Sequence, residues 1–283
     1  MNLQNIGVIG AGTMGNGIAQ VCAVAGFNVT LIDIADSALQ KALATVGKNL
    51  DRQVSKGTLS EEQKVAALDK IATSTDYASL HGVQLVIEAA TENLDLKLRL
   101  LQQAAAQVGS ECVIASNTSS LSITQLAASV SHPERFIGLH FFNPVPVMAL
   151  IEVIRGLQTS DATHALALAM AERLGKTAIT AGNRPGFVVN RILVPMINEA
   201  VLVLQEGLAN AEDIDAGMRL GCNQPIGPLA LADLIGLDTL LAIMQAFYDG
   251  FNDSKYRPAP LLKEMVAAGY LGRKTGRGFH AYD

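Results

Sequence analysis

Three glycines near the amino terminus, Gly10, Gly12 and Gly15, have the spacing of a phosphate-binding turn. The first two permit a tight turn and the close approach of a pyrophosphate, and the third lets a helix pack against the preceding strand. Asp33 lies 18 residues after Gly15, at the end of the next apolar run, where a carboxylate can accept hydrogen bonds from ribose hydroxyl groups. The same charge would repel a 2′-phosphate. The pattern therefore predicts a site for NAD rather than NADP, although Asp33 could also be an ordinary turn residue.

A histidine and a glutamate form a second candidate group. His140 follows an apolar run, where an imidazole either acts as a general base near neutral pH or is only structural. The predicted strands 135–142 and 149–154 are joined by a short link, and if they pair antiparallel, Glu152 falls within one residue of the position opposite His140. A His–Glu dyad would give a buried carboxylate the partner it needs. A one-residue slip would instead turn Glu152 to the other face, as a half-exposed strand residue.

Polar residues also follow other predicted strands, at 91–93 and 116–120. In an open α/β sheet, ligands bind at the carboxyl ends of the strands. Asn117 and Ser119 therefore either contact a ligand or form an ordinary turn. Ser122 and Gln125 have the spacing of a capping box, so part of this serine-rich stretch could simply begin a helix.

Strands and helices are predicted to alternate over the first 184 residues, and these elements must position the candidate residues. Strands are predicted at 3–9, 28–32, 71–74, 84–89, 111–116, 135–142, 149–154 and 177–181. Helical patterns at 16–25, 93–107, 122–130 and 161–174 separate most of them, which predicts an α/β fold with a doubly wound, largely parallel sheet. Residues 36–70 have helical periodicity with a break at Gly57, which predicts a helical-hairpin insertion. Its second arm begins with a predicted capping box, Ser60 and Gln63.

The pattern changes after residue 184. Helical patterns at 187–206, 211–220, 229–251 and 261–268 follow one another, and no strand run remains. We therefore expect two domains, one at 1–184 that holds the dinucleotide site and an all-helical one at 185–283. Some of the many apolar residues of the second domain must form its core, and the surplus indicates a surface for a partner.

Composition excludes several classes of protein. Of the 283 residues, 49% are hydrophobic and 17% are charged, so the chain can bury a substantial core. The net charge of −5 gives no positive field for a nucleic acid. No stretch approaches the roughly 20 uninterrupted apolar residues of a membrane span, and the chain begins without the basic region of a secretory signal, so we expect a cytoplasmic protein. The three cysteines are too far apart for a metal-type pair, and no metal site is expected.

Three basic residues spaced by four, Lys48, Arg52 and Lys56, share one face of the first insertion helix. They could hold the phosphate groups of a large ligand, or they could form a solvated helix face. The spacing alone leaves both interpretations open.

Several of these motifs together resemble the L-3-hydroxyacyl-CoA dehydrogenase family, and within it the short 3-hydroxybutyryl-CoA dehydrogenase type, over essentially the whole chain. The matching segments are the glycine turn at 10–15, Asp33, 92–97, Ser-Asn-Thr-Ser-Ser at 116–120, His-Phe-Phe-Asn-Pro at 140–144, Arg-Pro-Gly-Phe-Val-Val-Asn-Arg at 184–191 and Gly-Pro at 227–228. Two residues depart from the family, because His280 and Ala281 stand where Tyr and Asp are usual. The role of the carboxyl-terminal tail is therefore left open.

The resemblance implies a Rossmann-like domain followed by a helical domain for substrate binding and homodimer formation, with NAD as cofactor and the active site between the domains. By this resemblance His140 is the general acid/base, Glu152 orients it, and Ser119 and Asn190 contact the reacting acyl oxygen. The implied nucleotide-site positions are Gly10, Gly12, Met14, Gly15, Asp33, Ala90, Glu92, Lys97, Asn117 and Asn143. The resemblance also favours Arg52 and Lys56 as contacts of coenzyme A.

The implied reaction interconverts a short (S)-3-hydroxyacyl-CoA and its 3-oxoacyl-CoA. As hydride leaves C3 for the nicotinamide, the hydroxyl proton must pass to a base whose pKa lies near neutrality, which an imidazole supplies. The alternatives are a longer or dicarboxylic acyl-CoA such as 3-hydroxyadipyl-CoA, a free hydroxy acid, and a catalytically idle NAD-binding protein like the lens crystallins related to this family. Retention of the four residues implied in catalysis argues against the idle protein.

Overall fold

The computed structural model describes residues 3–282, which form two compact units, one up to Asn183 and one from Arg184 onward. The first unit contains eight strands: β1 (Asn5–Ile9), β2 (Asn28–Ile32), β3 (Ile71–Ser74), β4 (Leu85–Glu88), β5 (Val113–Ser116), β6 (Phe136–Phe141), β7 (Leu150–Arg155) and β8 (Thr177–Gly182). They make one sheet in the order β3-β2-β1-β4-β5-β6-β7-β8. Neighbouring strands pair parallel except β6 and β7, which pair antiparallel.

Helices connect these strands: α1 (Thr13–Val24), α2 (Asp36–Ser55), α3 (Glu61–Leu68), α4 (Leu94–Ala105), α5 (Ile123–Ala127) and α6 (Asp161–Arg173). The predicted Rossmann-like class, with a helical-hairpin insertion formed by α2 and α3, is confirmed. Gly57 lies between the two arms with a φ of 68°, a left-handed conformation that costs glycine little. Ser60 and Gln63 form both bonds of the predicted capping box at the start of α3.

The central strands are apolar because both faces of the sheet are covered. Every residue of β4, β5 and β6 is buried, as expected for strands enclosed between helical layers. The strands β1, β2, β4, β5 and β6 run in one direction, so their carboxyl ends share one edge of the sheet. Strand β7 runs back and begins at that same edge. The polar residues that follow these strands therefore collect in one region.

The second unit contains five helices among the described residues: α7 (Val189–Gln205), α8 (Ala211–Gly221), α9 (Pro228–Ile235), α10 (Leu237–Phe251) and α11 (Pro260–Ala267). Its own core is apolar and includes Ile197, Leu229, Met244 and Phe247. Isolated bridges at residues 272, 277 and 281 fold back the end of the chain.

The predicted single helix at 229–251 is wrong, because the chain turns at Gly236. That glycine has a φ of 99°, and the helices on its two sides, α9 and α10, are bent by 98°. The Leu237 amide donates to the Leu271 carbonyl, 3.3 Å away, instead of continuing the α9 ladder. Within residues 3–282, no single helix is long and apolar enough to cross a membrane, and only the bent pair of α9 with α10 reaches that length and composition.

Candidate active site

The glycine turn connects β1 to α1. Gly10 has a φ of 99°, and a Cβ there would lie 2.9 Å from the Ala89 carbonyl oxygen. A Cβ on Gly15 would overlap the carbonyl oxygen of Gly10, whereas a Cβ on Gly12 would meet nothing within 4 Å. Gly12 is also the N-cap of α1, and it has no side chain that could accept a hydrogen bond from the first amide groups of that helix. The backbone therefore packs closely at Gly10 and Gly15, whereas the space beside Gly12, at the amino terminus of α1, is open. A pyrophosphate would fit in this space.

Asp33 immediately follows β2 and lies against this turn. Its Oδ2 accepts a hydrogen bond from the Ala11 amide at 2.8 Å, and its Oδ1 accepts one from the Ala35 amide at 3.3 Å. A cavity of about 280 Å³ opens beside the carboxylate and is lined by residues that include Gly10, Ala90 and Tyr77. The carboxylate is therefore held by the glycine turn at the mouth of a cavity, where the nucleoside end of NAD could fit.

Tyr77 is a residue of this cavity that sequence reasoning missed. It lies in a short 3₁₀ helix, Tyr77–Leu80, between β3 and β4. Burial, and then the negative charges of Glu88 and Asp33, raise the pKa of Tyr77 to about 12, so its phenol keeps its proton at neutral pH. The only sequence signal is an aromatic residue between two predicted strands, which does not reveal a cavity wall.

A buried ion pair follows the same edge of the sheet. Glu88, the last residue of β4, and Lys97, in the first turns of α4, are 0% and 1% exposed. The Lys97 Nζ lies 2.7 Å and 3.0 Å from the two carboxylate oxygens of Glu88. Ser116 donates to the same carboxylate at 2.6 Å. Sequence reasoning named Lys97 but missed Glu88, because a glutamate at the end of an apolar strand has no local signal for burial.

Glu92 binds the serine-rich loop after β5. Its Oε1 accepts hydrogen bonds from the amides of Ser119 and Ser120, at 2.9 Å and 3.1 Å, and from the hydroxyl of Thr118. Burial alone would raise the pKa of Glu92, but the charge of Lys97 and the hydrogen bonds from the 118–120 loop hold that pKa below its usual value. The carboxylate is therefore ionised at neutral pH and acts as an anchor for the loop that carries Ser119.

Asn117 and Asn143 lie in adjoining segments. The side-chain oxygen of Asn117 accepts from the Phe141 amide at 2.8 Å, so this residue ties the end of β5 to the end of β6. Asn143 is exposed and lines a cavity of about 510 Å³ together with Gly12, Asp33 and other residues. Met14, in the first turn of α1, packs partly buried against the core. Nucleotide contact by these three residues stays a prediction.

His140 and Glu152 lie directly opposite each other on β6 and β7. The His140 Nδ1 is 2.7 Å from the Glu152 Oε2, and the two residues are 6% and 0% exposed. The sequence could place Glu152 only to within one residue. An ionised carboxylate can only accept, so the Nδ1 carries the proton and the Nε2 is the basic nitrogen. The ring of Phe142 lies 4.5 Å from that of His140.

Three further predicted site residues belong to other elements. Asn190 is half-buried in the first turn of α7, in the second unit. Arg52 and Lys56 are exposed at the end of α2. Within residues 3–282 no carboxylate lies within 4.0 Å of their charged nitrogens. In that same range no three His, Cys, Asp or Glu side chains are arranged to hold a metal ion.

His280 is held by hydrogen bonds to two aspartates of the second unit. Its Nε2 lies 2.8 Å from the Oδ2 of Asp215, and its amide donates to Asp233 at 2.9 Å. The amides of Leu229 and Ala230, at the start of α9, also donate to Asp215. Hydrogen bonds to the buried carboxylates of Asp215 on α8 and Asp233 on α9 therefore hold the carboxyl-terminal tail.

The open glycine turn, the acidic residue after β2 and the buried histidine on the same sheet define a dinucleotide-dependent oxidoreductase. Comparison with known proteins agrees. The family model "3-hydroxyacyl-CoA dehydrogenase, NAD binding domain" matches residues 5–184, and "3-hydroxyacyl-CoA dehydrogenase, C-terminal domain" matches residues 186–282. The chain belongs to the NAD-binding 3-hydroxyacyl-CoA dehydrogenase family.

Relatives match the chain over nearly its whole length. It is 51% identical over 280 residues to the 3-hydroxybutyryl-CoA dehydrogenase of Bradyrhizobium diazoefficiens, covering 99% of this chain and 96% of the relative. It is 48% identical to the probable 3-hydroxybutyryl-CoA dehydrogenase of Bacillus subtilis, covering 100% and 99% of the two chains. The crystal structure of (S)-3-hydroxybutyryl-CoA dehydrogenase PaaH1 from Ralstonia eutropha is 62% identical, with a TM-score of 0.98 and full coverage of both chains.

Proposed function

We propose that this protein interconverts (S)-3-hydroxybutyryl-CoA and acetoacetyl-CoA with NAD as the hydride carrier. The observation that carries the proposal is the buried pair of His140 and Glu152, with 2.7 Å between Nδ1 and Oε2. The pair lies at the sheet edge that also carries the glycine turn, in a chain whose relatives are named for this reaction. A proton-transfer group and a dinucleotide cradle on one edge suit the oxidation of an alcohol.

The roles of the side chains follow from their chemistry. NAD, held by the glycine turn and Asp33, would supply the acceptor for the hydride of C3. His140 takes the hydroxyl proton at its Nε2 during oxidation and returns a proton to the developing alkoxide during reduction. Glu152 holds the tautomer through Nδ1 and stabilises the imidazolium. Ser119 is held by Glu92 and is proposed, with Asn190, to bind the acyl oxygen.

The direct test is oxidation of NADH by the purified protein with acetoacetyl-CoA, followed at the absorbance of NADH. Turnover that depends on both compounds is expected. A panel of 3-oxoacyl-CoA thioesters of increasing length, with a dicarboxylic member and a free 3-oxo acid, then defines the substrate. Absence of turnover with every thioester, in a protein that still binds NADH, would leave the idle NAD-binding protein as the better interpretation.

Cofactor choice gives a first prediction. NAD(H) is expected to have a higher kcat/KM than NADP(H), because the Asp33 carboxylate repels a 2′-phosphate. Asp33→Ala is expected to reduce the difference in kcat/KM between the two cofactors. Asp33→Asn should have the same effect, because it removes the charge but keeps an acceptor for the Ala11 amide. Asp36→Ala, which removes a nearby charge at the start of α2, serves as the control. Equal efficiencies with the two cofactors in the unmodified protein would contradict the role of Asp33.

The basic stripe of Lys48, Arg52 and Lys56 gives a second prediction. We propose that these residues hold the phosphorylated nucleotide end of coenzyme A. Replacing all three with Gln is expected to raise KM for acetoacetyl-CoA more than KM for acetoacetyl-pantetheine, which lacks that end. Added salt should raise the first KM in the same way, because exposed charges are screened.

The matched control for the stripe is Lys64→Gln on α3. Lys64 is already paired with Asp51 and Glu61, at 2.7 Å each, and so offers no unpaired charge to a ligand. An equal rise of KM for both substrates in the triple variant would indicate an ordinary solvated helix face.

Assembly and location remain proposals. Exposed apolar side chains on the helical unit, such as Ile192, Leu220 and Leu234, support a homodimer formed through this unit. Light scattering of the purified protein would give its mass in solution.

A cytoplasmic location is consistent with the buried free thiols of Cys22 and Cys112, and cell fractionation would test it.

A further inference from the structure

We infer that Lys176 is a positioning residue, whose ammonium group holds the link between β6 and β7 against α1 and so fixes one wall of the predicted cofactor site. This link comprises residues 142–149. Lys176 has no role in the reaction as proposed above. The inference about NADH binding stands alone, and only its kinetic consequence rests on the proposed function.

The ammonium group of Lys176 binds two carbonyl groups of the link. Lys176 immediately precedes β8, whose first residue pairs with the first residue of β7, so its side chain lies where the link enters β7. The Lys176 Nζ donates to the carbonyl oxygens of Val145 and Met148, at 2.7 Å and 2.6 Å. Among the residues that the structure describes, no carboxylate lies within 4.0 Å of this nitrogen. The charge of Lys176 is therefore directed at the backbone of the link.

The charge of Lys176 also acts on Cys22, a buried thiol of α1. Burial raises the pKa of Cys22 to about 12, so the thiol stays neutral and gives Lys176 no anionic partner. Burial also lowers the pKa of the half-buried Lys176 below its usual value. A cation that has lost part of its water depends on protein acceptors, and hydrogen bonds from a charged donor are stronger than those between neutral groups.

The link packs directly against α1. Val145 is 2% exposed, and a Cβ on Gly17 of α1 would lie only 2.8 Å from the Val145 Cβ. Carbon atoms in favourable contact are about 3.5–4.0 Å apart, so the link could not stay in place beside a larger residue at this position. Lys176 holds the carbonyl group of the same residue whose side chain meets α1.

The link also lines the cavity of about 510 Å³ beside the glycine turn. Residues 143–146 contribute to its lining, as do Gly12 and Asp33. A dinucleotide bound at the glycine turn would therefore face the link. Movement of the link away from α1 would change the shape of the predicted cofactor site.

A structural anchor and a positioning residue differ in what their loss does to binding. Loss of an anchor lowers the fraction of folded protein, and the molecules that remain folded bind NADH with an unchanged dissociation constant. Loss of a positioning residue raises the dissociation constant itself, because affinity falls with the fraction of molecules whose site has the competent shape. A hydrogen bond to a charged group commonly shifts such an equilibrium about tenfold or more.

The test is a calorimetric titration of NADH into Lys176→Met, which keeps a long unbranched side chain but has no donor. We expect the dissociation constant to rise about tenfold, with an unchanged number of sites per chain. The matched control is Lys70→Met. Lys70 is another half-buried lysine immediately before a strand, but it lies at the opposite edge of the sheet, 3.3 Å from the side-chain oxygen of Asn28.

The control should bind NADH within about twofold of the unmodified protein, as is usual for a substitution away from the site. An unchanged dissociation constant in Lys176→Met, or an equal rise in Lys70→Met, would overturn the inference. So would a lower number of sites with an unchanged dissociation constant, which is the signature of a structural anchor.

A second variant, Gly17→Ala, displaces the link from its other side and leaves Lys176 in place. Alanine favours a helix more than glycine does, so this variant keeps the inference testable if Lys176→Met does not fold. The new Cβ would overlap Val145, and we expect the dissociation constant of NADH to rise by about threefold or more. The matched control is Gly47→Ala in α2, where a Cβ would meet nothing within 4 Å. Equal NADH binding in these two variants would overturn the inference.

The kinetic consequence rests on the proposed function. In Lys176→Met the KM for NADH should rise about tenfold, whereas kcat at saturating substrates should stay within about threefold, because His140 and Glu152 are held by the direct pairing of β6 with β7. A tenfold lower kcat with an unchanged KM for NADH would overturn the inference. Failure of the proposed function has a different signature, namely no acetoacetyl-CoA turnover even in the unmodified protein, and the NADH titrations remain decisive in that case.

Discussion

His140→Gln is expected to lower kcat for the reduction of acetoacetyl-CoA by about two to four orders of magnitude, the usual contribution of a general acid/base. Glutamine can still form a hydrogen bond but cannot exchange a proton near neutral pH. NADH binding should change little, because the glycine turn and Asp33 are unaltered. Steady-state kinetics with saturating NADH gives kcat, and calorimetry gives the dissociation constant of NADH.

The matched control for this variant is His164→Gln on α6. His164 belongs to the same unit, and its Nε2 lies 2.8 Å from the hydroxyl of Thr180, so its ring has a hydrogen-bond partner other than Glu152. Its kcat should stay within about twofold of the unmodified protein, as for surface substitutions generally. Near-full kcat in His140→Gln would show that the proton passes through another group.

Much of the first unit could be predicted, because the apolar runs and the glycine and polar residues that end them indicate the same element boundaries. Strands β2 and β3 have the predicted bounds, since each short apolar run ends at a polar residue. The helical hairpin was marked by Gly57 and the Ser60 capping box. By contrast, the helix predicted at 229–251 is wrong because apolar periodicity continued across Gly236, and periodicity does not report the backbone angle at one glycine.

The site was harder to predict because its contacts join distant parts of the chain. Glu92 and the amide of Ser119 are 27 residues apart in sequence and 2.9 Å apart in space. Glu88 has the local pattern of a core strand, and its burial becomes understandable only when Lys97 from the next helix is seen against it. Resemblance placed Lys97 among the nucleotide positions, and the structure places its Nζ beside both oxygens of Glu88 and the carbonyl oxygen of Ala90. Nucleotide contact by Lys97 stays a prediction.

The pairing of His140 with Glu152 shows where sequence reasoning stops. The short link between two apolar runs predicted antiparallel pairing, but the alternation of side chains makes register decisive for which face a residue occupies. The observed register pairs the two residues directly and buries the carboxylate completely. Burial without a partner would be costly, so the dyad explains how Glu152 is tolerated among apolar neighbours.

Glu152→Gln is expected to lower kcat by about 10- to 100-fold, the size of effect seen when a carboxylate that orients a metal-bound histidine is replaced. A neutral amide stabilises the imidazolium less than a carboxylate, so the pH at which reduction of acetoacetyl-CoA falls off should move to a lower value. Kinetics across a series of buffers measures this displacement. Glu152→Asp, which keeps the charge on a shorter side chain, should lie nearer to the unmodified protein in its pH dependence than Glu152→Gln.

The double variant His140→Gln/Glu152→Gln decides whether the two residues act together. If Glu152 works only through His140, the double variant should lose about as much kcat as His140→Gln alone, because residues that act as a unit are not additive. Losses that simply multiply would mean that Glu152 acts independently of the imidazole. An unchanged pH profile in Glu152→Gln would lead to the same conclusion, since the carboxylate, 2.7 Å from Nδ1, would then have no influence on the proton that His140 transfers.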